Sequence, residues 1–233
     1  MTTRDLTTPD GNLEVELKFR LADAAAQSAL IRALGGTGGP SVEQRNHFFD
    51  TAERDLGRAK YTLRLREERG RGYLLTAKGP ERRSFDGMLT EKLEREGPLD
   101  ARTAQSLLDG YAAPLAVLSE LLGANADVCV ALREAAGERV VSEVGSFANT
   151  RTPLAVEVDV RGVHWPAVFE FDRTVFPDGR VDFEVEVELR GLRTDEQRDQ
   201  LAEAVRNLVR QAGIELEPAP SKAQRLFEIL AKR

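Results

Sequence analysis

The chain has 233 residues, 41% hydrophobic and 31% charged, with a formal net charge of −6, which suits one sizeable domain and argues against a protein that mainly coats a nucleic-acid backbone. No apolar run approaches the roughly 18 residues of a spanning helix, and no basic-then-apolar signal pattern heads the chain. Cys129 is the single cysteine, so no intrachain disulfide can form. With only His47 and His164 beside it, a Cys/His zinc site is disfavoured. The expectation is a cytoplasmic protein with no membrane and no nucleic-acid partner.

Residues 1–11 are polar and expected to be flexible. Leu13, Val15, Leu17 and Phe19 then alternate with Glu14, Glu16, Lys18 and Arg20, the period of a strand. Asp23 is placed to cap a helix over 24–34 that Gly35-Gly36 ends. A strand over 41–50 runs into Phe48-Phe49-Asp50-Thr51, and a turn through Arg54-Asp55-Leu56 leads to a strand over 61–66. Gly70-Arg71-Gly72 makes a hairpin to a strand over 73–78, which Gly79-Pro80 closes. Residues 88–94 predict a fifth strand, and an Ala/Leu-rich helical stretch covers 101–136 with breaks at Gly110 and Gly123. Further strands are predicted over 139–150, 154–160, 168–173 and 181–189, with His164-Trp165-Pro166 and Pro177-Asp178-Gly179 as turns. Two helices, 195–212 and 221–232, flank a break at Glu217-Pro218-Ala219-Pro220. No repeat or linker divides residues 1–233, so one domain is expected. Eight or nine antiparallel strands in nearly sequential order predict an α+β fold, a meander closed into a barrel or tunnel with helices around it.

One face of these strands is apolar: Val15 and Leu17, Leu63 and Leu65, Phe169 and Phe171, then Phe183, Val185 and Val187. The other face carries Glu14, Glu16 and Lys18, Arg64 and Arg66, Lys78, Glu170 and Asp172, then Glu184, Glu186 and Glu188. For any single strand a solvated polar face is the simpler explanation. Taken together, charges in blocks of one sign would repel on an open surface. A barrel can instead turn the charged face inward and pack the apolar face under its helices. Clustered carboxylates at Glu14, Glu16, Asp172, Glu184 and Glu186 suit a hard cation, Mg²⁺ or Mn²⁺. Arg64 and Arg66 suit paired hydrogen bonds to phosphate, with Lys18 and Lys78 as point charges.

The ordered set of motifs resembles the CYTH proteins, the triphosphate tunnel metalloenzymes. Glu14-Val15-Glu16-Leu17-Lys18 matches their ExExK signature. The likeness continues through Phe48-Phe49-Asp50-Thr51, Leu63-Arg64-Leu65-Arg66, Leu75-Thr76-Ala77-Lys78-Gly79-Pro80 and Thr90-Glu91-Lys92-Leu93-Glu94. It ends with Ser146-Phe147-Ala148-Asn149-Thr150-Arg151, Phe171-Asp172, Glu184-Val185-Glu186 and Pro220-Ser221-Lys222. The resemblance implies an eight-stranded antiparallel tunnel that holds a triphosphate. It also implies metal ligands at Glu14, Glu16, Asp172, Glu184 and Glu186, and phosphate contacts from Lys18, Arg64, Arg66, Lys78, Arg151 and Lys222. Glu14, Glu16 and Lys18 form its catalytic signature. The family's glutamate pair falls on Glu184 and Glu186 or, shifted by two, on Glu186 and Glu188. The strand near Glu91 and Glu94 departs from the usual Arg-x-Glu-x-Glu spacing, so these two are placed around the ligands instead of among them.

The six bases and five acids, two divalent cations and a tripolyphosphate with five negative charges sum to neutrality. With one cation the set is two charges negative. The activity implied is metal-dependent hydrolysis of tripolyphosphate or of an organic triphosphate such as thiamine triphosphate or a nucleoside triphosphate. Two alternatives are the family's adenylate cyclase chemistry and a non-catalytic polyphosphate- or nucleotide-binding module. His47 reads as a hydrogen-bonded surface or core histidine, Cys129 as buried and inert and Trp165 as a packing residue, and Arg83 reads most simply as solvated charge that could add to a tunnel mouth.

Overall fold

The computed structural model describes residues 13–192 and 194–232; the stretch expected to be flexible, 1–11, lies outside them. β1 (Leu13–Leu21) leads through α1 (Ala24–Ala33) to β2 (Val42–Asp50). After the one-turn α2 (Asp55–Arg58) come β3 (Thr62–Glu68) and β4 (Gly72–Lys78), the short β5 (Arg82–Arg83) and β6 (Leu89–Leu99). Three helices follow, α3 (Ala101–Leu108), α4 (Pro114–Leu122) and α5 (Asp127–Ala136). The chain then returns through β7 (Ser142–Val160), β8 (Val163–Val175) and β9 (Val181–Glu188), and ends with α6 (Asp195–Gln211), β10 (Glu217–Pro218) and α7 (Lys222–Leu230).

Eight antiparallel strands close on themselves in the order β1-β9-β8-β7-β2-β3-β4-β6, with β6 pairing back to β1. The short β5 and β10 attach at the rim, against β6 and β1. Closure requires every strand to bury one face inside and the other under helices, and the alternation seen in the sequence supplies both. Val15, Leu17, Phe169, Phe171, Val185 and Val187 point outward and pack with Leu30 of α1 and Leu201, Val205 and Val209 of α6. Leu63, Leu65, Leu75 and Ala77 point outward on the other side under Ala104, Leu107, Leu118 and Leu132 of α3–α5. Each fully buried Leu or Phe contributes about 1.5–3 kcal/mol. Most of the hydrophobic core is therefore outside the barrel, in two shells; a third cluster, Phe48, Phe147 and Phe176 with Leu226 and Ile229 of α7, closes one part of an interior otherwise left to polar groups. Side chains of Asp23, Asp100, Thr194 and Ser221 cap α1, α3, α6 and α7 by accepting backbone N–H groups. No helix among the described residues is long and apolar enough to cross a membrane.

Two predicted elements differ. The strands expected over 139–150 and 154–160 are one strand, β7, and His164-Trp165-Pro166 is not a turn but part of β8. The turn sits at Arg161-Gly162, both with positive φ (55° and 83°), the two-residue geometry that matches strand twist. Pro153 and Pro166 fit because β2 stops pairing with β7 at Arg151 and β9 reaches β8 only from Val168. At such edge positions a missing N–H costs no ladder bond.

Candidate active site

The barrel encloses a cavity of about 800 Å³, within the usual range for a site that takes a small organic molecule. Its walls carry Glu14, Glu16 and Lys18 from β1, Arg64 and Arg66 from β3, Lys78 from β4, Arg151 from β7, Glu186 from β9 and Lys222 from α7. All predicted phosphate contacts thus reach one space.

β8 and β9 form an acidic wall. Asp172 and Glu184 are opposed in register, and with Glu186 they bring one carboxylate oxygen each to within 4.8 Å of one another. Arg151 grips Asp172 with two nitrogens, Nε at 2.8 Å and Nη2 at 2.6 Å, and Nη2 also reaches Glu186 at 2.6 Å. Lys222 Nζ donates to Glu186 at 2.9 Å and to Glu184, and forms an ion pair with Asp172 at 2.8 Å. Arg225 holds Glu184 from behind and Asp182 at 2.7 Å. Burial opposes the charge of Asp172 and Glu186, but Arg151 and Lys222, joined by Lys18 at Glu186, outweigh it and hold both carboxyls below their ordinary pKa. Glu188 lies at the end of β9, partly exposed and paired with Arg190, so the clustered glutamates are Glu184 and Glu186.

Glu14 and Glu16 stand apart from this triad. Lys92 bridges them at 3.2 and 2.6 Å, and Lys78 also reaches Glu14 at 3.1 Å. Lys18 links the two acidic groups, 3.1 Å from Glu16 and 3.0 Å from Glu186. Burial raises the Glu16 carboxyl, yet Lys18 and Lys92 bring its pKa below the usual value.

By strand order, β3 and β4 face β8 and β9 across the barrel, and here the balance is reversed. Arg64 approaches Glu94 only at 4.0 Å, while Arg66 lies 3.4 Å from Glu68 and 3.7 Å from Glu96. The Nε atoms of both arginines are buried without a partner. Burial, reinforced by Arg66, lowers the Arg64 pKa to about 10, and burial with neighbouring Lys92 lowers Lys78. Lys78 has Glu14 and Glu94 at 3.1 and 2.6 Å, so the unmet donors of this wall are those of Arg64 and Arg66.

Several lining residues carry no clear signal in the sequence. Glu91 opposes outward-facing Val15 and pairs with Arg198 of α6, outside the barrel. Lys92, Glu94 and Glu96 are the inward residues of β6. Their Lys-x-Glu-x-Glu spacing keeps the family pattern one residue further on, with lysine replacing arginine. Asn149 donates to Asp172 at 2.9 Å and to Gln44 at 3.0 Å, and accepts from Thr174, fixing the carboxylate from the side. Asp50 serves the fold, since its carboxylate accepts the backbone N–H groups of Thr51, Leu56 and Gly57. Arg83 does line the mouth. His47 faces Glu143 at 2.8 Å, and Cys129 is buried among α3–α5 with its thiol pKa pushed up by burial.

The CYTH domain family model matches residues 12–227. No curated protein sequence matches the chain. Among solved structures, HpAC1 of Hippeastrum, described as a candidate adenylyl cyclase with a dominant triphosphatase activity, aligns with a TM-score of 0.71. Its identity is 22%, over 92% of this chain and 95% of that one. A candidate adenylate cyclase of Bacillus halodurans aligns at 0.65 with 22% identity, over 93% and 98%. The PH1819 protein of Pyrococcus horikoshii aligns at 0.59 with 18% identity, over 94% and 99%. The shared property at these identities is the fold.

Proposed function

This chain belongs to the CYTH domain family, and on that footing we propose that it is a metal-dependent triphosphatase that releases the terminal phosphate of tripolyphosphate or an organic triphosphate. The observation that carries this reading is the pair of buried, unpartnered Nε donors on Arg64 and Arg66 opposite a closed carboxylate triad. A phosphate chain between the walls would give those donors acceptors, and arginine forks suit phosphate oxygens. The donor set of the triad is all carboxylate oxygen, which fits Mg²⁺ or Mn²⁺ and not a soft metal.

Asp172, Glu184 and Glu186 would hold the cation, with Glu14 and Glu16, joined to them through Lys18, as the further carboxylates. Bound there, a divalent cation supplies Lewis acidity toward phosphoryl oxygens and acidifies water. Arg64, Arg66 and Lys78 bind and align the phosphates. Lys18, Arg151 and Lys222 lie between the triad and the cavity, where they neutralise the charge that builds on phosphoryl oxygens. Asn149 keeps Asp172 oriented. In-line phosphoryl transfer asks little covalent chemistry of a protein, so positioning and charge carry most of the rate. The description of HpAC1 as dominantly a triphosphatase supports hydrolysis over cyclisation.

The test is phosphate release from tripolyphosphate, thiamine triphosphate, ATP and GTP, each with Mg²⁺ and Mn²⁺, alongside cyclic AMP and pyrophosphate from ATP. Free phosphate is the expected product, and Glu16→Gln should abolish it while leaving the fold intact. Cyclic AMP as the main product from ATP would replace hydrolysis by cyclisation. Tight tripolyphosphate binding without phosphate release under either metal would reduce the protein to a binding module.

A further inference from the structure

Lys222 is the first residue of α7, placed there by the Ser221 cap, whose side chain accepts the Gln224 N–H at 3.1 Å. Its ammonium touches all three carboxylates of the triad: Asp172 at 2.8 Å, Glu186 at 2.9 Å and Glu184 in close contact. Among the described ion pairs no other cation spans the three. Lys18 reaches only Glu186 of the triad, Arg151 reaches Asp172 and Glu186, and Arg225 reaches Glu184. The ammonium donates to Glu184 and Glu186 and lies 2.8 Å from Asp172 in an ion pair. The ammonium therefore fills the point on which the triad converges.

We propose that Lys222 is a built-in counter-ion that competes with the divalent cation for Asp172, Glu184 and Glu186, so that metal entry and triphosphate entry are coupled through this one side chain. This deepens the hydrolase reading and rests on its metal site. A cation entering alone must displace the ammonium into a cavity already rich in Lys18, Lys78, Lys92, Arg64, Arg66 and Arg151, where Glu14, Glu16 and Glu94 are already paired with lysines. A cation entering with a triphosphate brings a further anion, and the displaced ammonium exchanges carboxylate for phosphate oxygen. Coupling of two ligands is reciprocal, so the triphosphate is held more tightly when the cation is present. The backbone of α7 need not leave the barrel, because Leu226 and Ile229 pack with Phe48, Phe147 and Phe176 and Arg225 keeps its bond to Asp182. Lys222 thus occupies the metal's place before it contacts substrate.

Calorimetric titration of Mn²⁺ into metal-free protein, with no triphosphate present, tests this directly. Lys222→Met should bind Mn²⁺ about tenfold more tightly than the unmodified protein, within the usual range of coupling factors. Lys222→Arg should stay near the unmodified value, since it retains the competing charge. Lys78→Met removes a cavity cation that does not touch the triad, and should change the affinity far less than Lys222→Met; it separates displacement from a general field effect. A purely structural role for Lys222 would leave the Mn²⁺ affinity of Lys222→Met unchanged or weaker, and so would overturn the competition while leaving the metal site standing. Equal gains from Lys222→Met and Lys78→Met would also overturn it. Absence of Mn²⁺ binding in all four proteins, even with tripolyphosphate added, would remove the metal site and this inference with it. Circular dichroism of each variant confirms that α7 and the barrel are folded, and if Lys222→Met fails to fold, Lys222→Gln takes its place.

Discussion

The two facing walls of the barrel are built from the same alternating strands, yet they are electrostatically unlike. On the β8–β9 wall every carboxylate of the triad has cations in contact, and those cations are stabilised in return. Burial opposes the charges of Lys18, Lys222 and Arg151, but the acids of this wall, joined at Lys18 by Glu16 of β1, outweigh it and raise all three pKa values. On the β3–β4 wall burial wins: Arg64 and Lys78 are pushed below their ordinary values. The triad carboxylates of one wall are all paired within the protein, whereas Arg64 and Arg66 on the other keep buried Nε donors without a partner. The difference locates the free energy that a phosphate ligand would release, because donors that are already desolvated gain most from an anion.

The comparison is broken most severely by removing a triad carboxylate. Asp172→Asn should lower kcat/KM for triphosphate hydrolysis by about a thousandfold, the scale of losing a group that organises transition-state charge; a loss under tenfold would remove Asp172 from the metal site. Glu184→Gln leaves Arg225 and Lys222 with less compensation inside the barrel, and should cost about 3 kcal/mol of stability by denaturant unfolding. A cost below about 1 kcal/mol would mean that the acidic wall is not satisfied internally.

The opposite wall should behave in the opposite sense. Arg64→Met removes a buried cation with an unpartnered N–H, and should raise Tm by about 3 °C, corresponding to about 1 kcal/mol at this chain length, while phosphate release falls sharply. A lower Tm would show that Glu94 at 4.0 Å compensates Arg64 fully. The smallest effect concerns pH. Burial opposes ionisation of Glu94, but the neighbouring charges of Lys78 and Arg64 help to outweigh that and its pKa falls from 4.5 to about 2. Because the folded value is the lower one, this contribution to stability is complete above the unfolded value of 4.5 and disappears as pH falls toward about 2. Glu94→Gln should flatten the acid limb of a Tm–pH curve in that window. Parallel curves for the two proteins would assign the acid sensitivity to other carboxylates.

Much of the site was legible because a strand has period two. Glu14, Glu16 and Lys18, or Arg64 and Arg66, must share a face whatever surrounds them, and the outward packing of Leu63 and Leu65 settles which face is inside. Lys92 and Glu94 were harder to read, because Thr90 to Glu96 lacks a clean apolar alternation and only pairing with β1 and β4 sets its facing. Arg225 gave no signal at all: on a helix it is one of many cations, and its role depends on where α7 lands. The unity of β7 was hidden by Pro153, whose tolerance rests on β2 ending at Arg151.

The sequence by itself determined the alternation, and with it two apolar shells outside and a charged lining within, since side-chain facing follows from local backbone geometry. It also determined the chemical types of the lining, carboxylate oxygens and arginine forks. Only the tertiary structure decided which charges meet. Barrel closure put Asp172, Glu184 and Glu186 within reach of one ammonium and kept Glu14 and Glu16 apart with Lys92, because ion pairing depends on distances across the barrel that no spacing along a strand encodes.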